Sequence, residues 1–289
     1  MNTWVAGARP RTLPAAIAPV LIGTSLVNSD GREINWVNAL LALGVGLLLQ
    51  IAVNYSNDYS DGIRGTDEAR VGPVRLVASG LKSATSVKNA AILSYLFAAI
   101  CGLFLSIRTS PFLILVGALA IIAGWTYTGG KKPYGYQGFG EVSVFIFFGL
   151  VATMGSYFAQ SQEISWKAFL LAIPMGALSC TILGLNNLRD RPEDELAGKK
   201  TLAVRLGDAK ARILLILFLL LAFSTAVGAS VVTPWALIVL ATAPLYYLLI
   251  KGITGGAIGA RLIPLLGKAG ELQLLTALLI TLALMIAKV

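Results

Sequence analysis

There is no histidine among the 289 residues. That absence removes Ser-His-Asp catalysis, imidazole proton shuttles and most transition-metal sites together, since each depends on an imidazole nitrogen. Only two cysteines are present, Cys101 and Cys180, in separate apolar stretches without Cys-x-x-Cys spacing. Neither a disulfide framework nor a thiolate zinc site is expected from them. Charge is scarce as well: 13% of residues are Asp, Glu, Lys or Arg, against 56% hydrophobic. A soluble helical protein needs polar faces at helical spacing, and the long uncharged runs offer almost none.

What is present are gaps between charges of membrane-crossing length. Uncharged stretches cover residues 12–29, 34–57, 89–107, 109–130, 142–162, 168–188, 213–250 and 272–287. A transmembrane helix needs roughly 20 apolar residues, so most of these fit one crossing. The stretch 213–250 is about twice too long for one, and Thr233-Pro234 near its middle breaks it into two helices joined by a tight turn. The reading is an all-α, polytopic membrane bundle of about nine helices, forming one domain over residues 1–289. The last stretch, 272–287, is the shortest and the weakest span. Arg9 and Arg11 before the first apolar run resemble the basic region of a signal peptide. Pro14 and Pro19 interrupt that run and no clear cleavage site follows, so it is read as a retained first helix.

The basic residues are one-sided. Of the 23 Lys and Arg, all but Arg32, Arg108, Lys167 and Lys288 fall at the N-terminus or in the loops after spans two, four, six and eight. The positive-inside rule places these on the cytoplasmic face of the cell membrane, with the C-terminus outside. The net charge of +9 is then a field on one face, suited to anionic lipid and anionic substrates rather than to a nucleic acid. Those loops form a polar cap, and they hold the chemistry.

Two acidic motifs stand out. Asn54, Asn57, Asp58 and Asp61 are spaced i, i+3, i+4 and i+7, so they share one face if span two continues past Val53. Asn186, Asn187, Asp190 and Asp194 repeat the theme four spans later, as a weak internal echo emerging on the same side. Oxygen donors without imidazole or thiolate suit a hard cation, Mg²⁺ above all, held by carboxylates and completed by water and substrate phosphates. Nearby bases would neutralise the rest of a diphosphate's charge. The plainer readings are an interfacial acid cluster and, for Pro192 followed by Glu193, Asp194 and Glu195, the first turn of a new helix, where acids offset the dipole.

"NDYSD" and "DRPED" resemble the two aspartate-rich motifs of the UbiA-type intramembrane aromatic prenyltransferases. "RPRTLPAAIAPVLIGT", "GPVRLVASG", "YTGGKKPYGYQGFGE" and "NNLRDRPEDELAGKKTLAVRLG" extend the resemblance over nearly the whole chain. Within that superfamily it most resembles the 1,4-dihydroxy-2-naphthoate polyprenyltransferases of menaquinone synthesis. The resemblance implies a nine-helix enzyme that uses Mg²⁺, takes a polyprenyl diphosphate and prenylates an aromatic ring. It assigns Asp58, Asp61, Asp190 and Asp194 to metal and catalysis, and Arg64, Arg75, Lys131 and Lys200 to the diphosphate, with Lys132 equivalent to Lys131. Asn54, Asn57, Asn186, Asn187 and Tyr127 join the substrate site; Tyr134, Tyr136 and Phe139 line the acceptor or anchor at the interface. Many members carry a third aspartate where this chain has Gly65, with Asp67 following instead. That shift fits the naphthoate branch and leaves Asp67 a doubtful ligand.

Other classes fit less well. The CDP-alcohol phosphotransferase motif begins Asp-Gly-x2-Ala-Arg, and Gly65-Thr66 stands here where Ala-Arg is needed. A cation-coupled transporter places its acids near the membrane midplane, whereas these sit at span ends. 4-Hydroxybenzoate and homogentisate are the alternative acceptors.

Overall fold

The computed structural model describes residues 2–66, 72 and 74–287, and every regular element among them is helical. Asp67 and Lys288 lie outside the described residues. The long helices are α2 (Pro14–Ser29), α3 (Trp36–Ile63), α4 (Ala84–Arg108), α5 (Phe112–Thr126), α8 (Trp166–Leu196), α9 (Leu202–Gly228) and α11 (Leu262–Ile286). A short α1 (Thr3–Ala8) precedes α2, and the segment Thr3–Thr12 that contains it is bent 52° from α2. α6 (Gly140–Val144) and α7 (Ala152–Ser161) form one span through a π-helical stretch, Phe145–Val151. A 3₁₀ stretch, Pro234–Thr242, leads into α10 (Ala243–Thr254).

Seven segments among the described residues are long and apolar enough to cross a bilayer, and an eighth if the bent pair before Ser29 counts as one. The chain is a multi-pass membrane protein. The expectation of nine spans is therefore met only approximately. α5 has 15 residues, or about 22 Å of rise against roughly 30 Å of hydrocarbon. The last span is not the weak one: α11 runs 25 residues, because it begins well before the uncharged stretch and carries Lys268 and Glu271 within it. The long run does divide where proline requires, with Thr233 extended (φ −152°) before Pro234.

Side-chain caps begin three of the spans. Asn35 accepts from the Asn38 amide at 3.1 Å, Ser83 from Ser86 at 3.2 Å and Ser165 from Lys167 at 3.2 Å, each quenching an orphan donor. α8 is the hub, packing against α2, α9, α11 and the α6–α7 span. Its Leu171, Met175, Leu178 and Leu185 are fully buried among Ile22, Leu215, Leu219 and Leu272. Lipid is as apolar as leucine, so close approach rather than water exclusion holds such helices together. A Cβ on Gly149 would stand 2.6 Å from the Gly176 Cα, so only glycine permits that crossing. The outward faces carry exposed Leu93, Phe104, Leu119 and Leu217, as a lipid-facing surface must.

Candidate active site

α3 runs without a break to Ile63, so Asn54, Asn57, Asp58 and Asp61 do share a face. Asn54, Asp58 and Asp61 are buried, at 3%, 1% and 5% exposure, which rules out a solvated acid cluster. α8 likewise continues through Pro192 to Leu196, and the next helix begins at Leu202. The helix-start reading of Asp190–Asp194 is thereby corrected: both aspartates ride on the span itself, one turn apart, and both are buried.

Each carboxylate has a defined environment. Asp58 accepts from the amides of Leu76 (2.8 Å) and Val77 (3.0 Å), pinning the turn that follows buried Arg75 onto α3. Asp190 takes a two-pronged bond from the adjacent Arg189, at 2.6 and 2.8 Å, with both residues buried. Asp61 accepts from the Tyr136 hydroxyl and lies 3.6 Å from Lys199 Nζ. Asp194 lies 3.5 Å from the same Nζ, and the Tyr136 ring sits 4.9 Å beneath it. One ammonium thus joins the two motifs.

The helix end explains that lysine. Gly198 adopts φ +73°, and the Gly198 and Lys199 amides bond back to the carbonyls of Glu195 (3.1 Å) and Asp194 (2.8 Å). This is a Schellman cap, which reverses the chain and drops Lys199 onto the helix it has just left. Lys200, the neighbour expected at the diphosphate, is exposed, and its amide bonds to Tyr136 O at 2.8 Å. Lys131 and Lys132 are exposed too. Arg64 clasps the carbonyls of Thr128 and Gly130, both at 2.5 Å, and lies over the Tyr136 ring, fastening α3 to the loop after α5. Tyr136 sits in that loop. Burial first, then the Asp61 carboxylate, holds its phenol well above the ordinary value, so it stays a neutral donor.

Below the carboxylates lies a cavity of about 270 Å³. It touches α3 from Ala42 to Asn57, some 22 Å of helix at 1.5 Å per residue. Asn54, Asn57, Asn186, Tyr127 and Tyr134 line it, whereas the four aspartates do not. Asn57 accepts from Thr128 Oγ1 at 2.8 Å. Asn187 points elsewhere, donating to Glu141 at 2.9 Å. Phe139 is exposed at 56% and stands outside the cavity. The π-helical stretch supplies Phe147, Phe148 and Val151 to the wall, in keeping with the frequent use of π-bulges at functional sites. Arg9, Thr12, Gln50 and Lys199 were not read as site residues from the sequence. For Lys199 the signal was there, in a glycine placed to end a helix just before it.

No group of three or more His, Cys, Asp or Glu side chains close enough for a metal exists among the described residues. Yet Asp61 and Asp194 already reach one shared cation with carboxylate oxygens alone. That donor set fits Mg²⁺, which typically takes one or two carboxylates and leaves its other positions to water and phosphate. Asp58 and Asp190 stand beside it, committed to amides and to Arg189.

Residues 16–255 match the model of the UbiA prenyltransferase family. The chain is 49% identical over 281 residues to the 1,4-dihydroxy-2-naphthoate octaprenyltransferase of Mycobacterium tuberculosis, covering 97% of this chain and 96% of that one. Among solved structures it resembles the apo UbiA homolog of Aeropyrum pernix K1, with TM-score 0.72 and 15% identity over 95% and 98% of the two chains. A UbiA homolog of Archaeoglobus fulgidus, bound to DMAPP and Mg²⁺, superposes with TM-score 0.61 at 15% identity, over 98% of each chain.

Proposed function

The chain belongs to the UbiA prenyltransferase family, and from that premise we propose that it transfers a polyprenyl group from a polyprenyl diphosphate to 1,4-dihydroxy-2-naphthoate. Diphosphate and the ring carboxylate are released, leaving the demethylmenaquinone skeleton. The observation that carries the reading is the meeting of two acidic motifs on one ammonium, beside a cavity whose wall is mostly apolar. The name of the M. tuberculosis relative supports the choice of acceptor.

Asp61 and Asp194 would hold Mg²⁺, with Asp58 and Asp190 next to them. Bound there, the ion supplies charge neutralisation of the diphosphate leaving group. The chain's own groups do the remainder. Lys199 and buried Arg75 set positive charge where the diphosphate departs with the electron pair of the allylic C–O bond. Tyr136 keeps Asp61 oriented. The cavity receives the apolar tail and keeps water from the allylic cation. Asn57, Asn186 and Tyr127 face that cation's end of the cavity, where the ring attacks and CO₂ leaves. The one-sided basic loops support a cytoplasmic mouth and N-terminus.

A membrane assay offering 1,4-dihydroxy-2-naphthoate, 4-hydroxybenzoate and homogentisate in parallel, with Mg²⁺ and a polyprenyl diphosphate, tests the acceptor. Prenylated naphthoquinol is expected. Product only from either benzenoid acid overturns the assignment.

A further inference from the structure

We propose that Arg9 binds the ring carboxylate of the aromatic acceptor, and so selects carboxylated naphthols over uncharged ones. The inference rests on the acceptor class proposed above. Three observations carry it.

First, among the described residues Arg9 is the one charged residue lining the cavity; the other polar groups described on its wall are neutral. Arg11, two residues on, is exposed and lies outside the cavity. Among the described residues Arg9 makes no ion pair: its guanidinium donates to the Asn54 carbonyl at 3.4 Å. A cation on a half-dry wall favours an anionic ligand, because the anion restores what desolvation removed.

Second, its depth is right for the ring rather than for the diphosphate. Asn54 precedes Asp58 by four residues on α3, placing Arg9 about 6 Å further into the membrane than the carboxylate layer. Lys199 already serves that layer. Tyr127 and Asn57 share the cavity with Arg9. A ring between them would turn its carboxylate toward the guanidinium and its reacting face toward the allylic end of the donor.

Third, the backbone accepts a cost to put an arginine here. Arg9 caps α1 at φ 52°, ψ 71°, left-handed and directly before Pro10. Glycine is the usual occupant of such a cap, and a side chain there costs roughly 1–2 kcal/mol. The turn is fixed by Thr12, which donates to the Arg9 carbonyl at 2.9 Å and accepts from Gln50 (2.9 Å) and Asn54 (3.1 Å). Backbone strain held in place by surrounding bonds clusters at active sites and ligand clamps.

The test uses binding, which needs no turnover. Purified full-length protein in nanodiscs is titrated with 1-hydroxy-2-naphthoate and with 1-naphthol, followed by ligand fluorescence against empty nanodiscs. Wild type should bind the carboxylate about 10- to 100-fold more tightly, the range of a charge-assisted hydrogen bond. Arg9→Gly should erase that preference by weakening only the carboxylate, leaving 1-naphthol and the polyprenyl diphosphate within about 2-fold. Because glycine relieves the left-handed turn, this variant should melt no lower than wild type, so misfolding does not supply an alternative explanation. Arg9→Lys should fall between. Retained preference in Arg9→Gly, equal loss of both naphthols, or weakened diphosphate binding instead would each overturn the proposal. Wild type that binds and prenylates only benzenoid acceptors removes the assigned function and this inference with it.

Discussion

The carboxylates of Asp61 and Asp194, carried on α3 and α8, share a single ammonium: Lys199 Nζ lies 3.6 Å from one and 3.5 Å from the other. All three side chains are nearly buried, so this contact is not screened as a surface pair would be. It brings the two acidic motifs to one point.

Removing the ammonium leaves two buried carboxylates facing each other. Lys199→Met should lower stability by about 3 kcal/mol in chelator, and Mg²⁺ should recover part of that loss by taking up the same charge. Thermal unfolding with EDTA and with Mg²⁺ reads both effects. An unchanged midpoint in EDTA would contradict the bridging role.

Asp58 organises a loop as well as a charge, since it accepts from two amides, Leu76 and Val77. Asp58→Ala leaves both donors without that partner, at about 1–3 kcal/mol each. Hydrogen exchange at Leu76 and Val77 should accelerate strongly while α8 stays protected. Unaltered exchange there would show that the carboxylate does not hold the turn.

Gly149 and Gly176 let the π-helical stretch lie on α8 so closely that a Cβ added at Gly149 would stand 2.6 Å from the Gly176 Cα. The atom in the way is backbone and cannot swing aside, so Gly149→Val should destabilise by at least the 1–3 kcal/mol typical of overpacking. It should also lower the unfolding midpoint more than Gly155→Val does, because a Cβ on Gly155 meets nothing within 4 Å. Equal midpoints would place the crossing elsewhere.

The Tyr136 phenol has its value raised in the fold, by burial and by Asp61. A raised value means the folded state favours the neutral form. Its contribution is complete below the free phenol's range, near pH 10, and is lost as pH climbs toward the raised value. Wild type should therefore lose stability faster than Tyr136→Phe above about pH 10. Parallel melting curves between pH 9 and 12 check the sign.

The spans and the acidic face were legible because charge gaps and helical spacing need no tertiary information. Asn54, Asn57, Asp58 and Asp61 follow from period alone once α3 is continuous. Span lengths were less so. The gap 109–130 is longer than 272–287, yet α5 is the shorter helix, held between Pro111 and the turn before Gly129 and Gly130. Neither Lys199 nor Arg9 shows in composition. Lys199 and Lys200 are adjacent and alike, and only the left-handed Gly198 decides which one turns inward. Arg9 reaches the cavity through a left-handed turn that an arginine seldom takes. The partners of Asp58 come from a loop without periodicity, so no pattern announces them.

The most direct measurement is prenyl transfer itself, in membranes holding the full chain, a polyprenyl diphosphate and 1,4-dihydroxy-2-naphthoate. Prenylated naphthoquinol should form with Mg²⁺, cease with EDTA, and fall by at least about 100-fold in Asp61→Asn and in Asp194→Asn, if each carboxylate supports leaving-group departure as strongly as a typical electrostatic stabiliser. Undiminished product with EDTA, or full activity in either variant, would contradict a clamp built from these two residues.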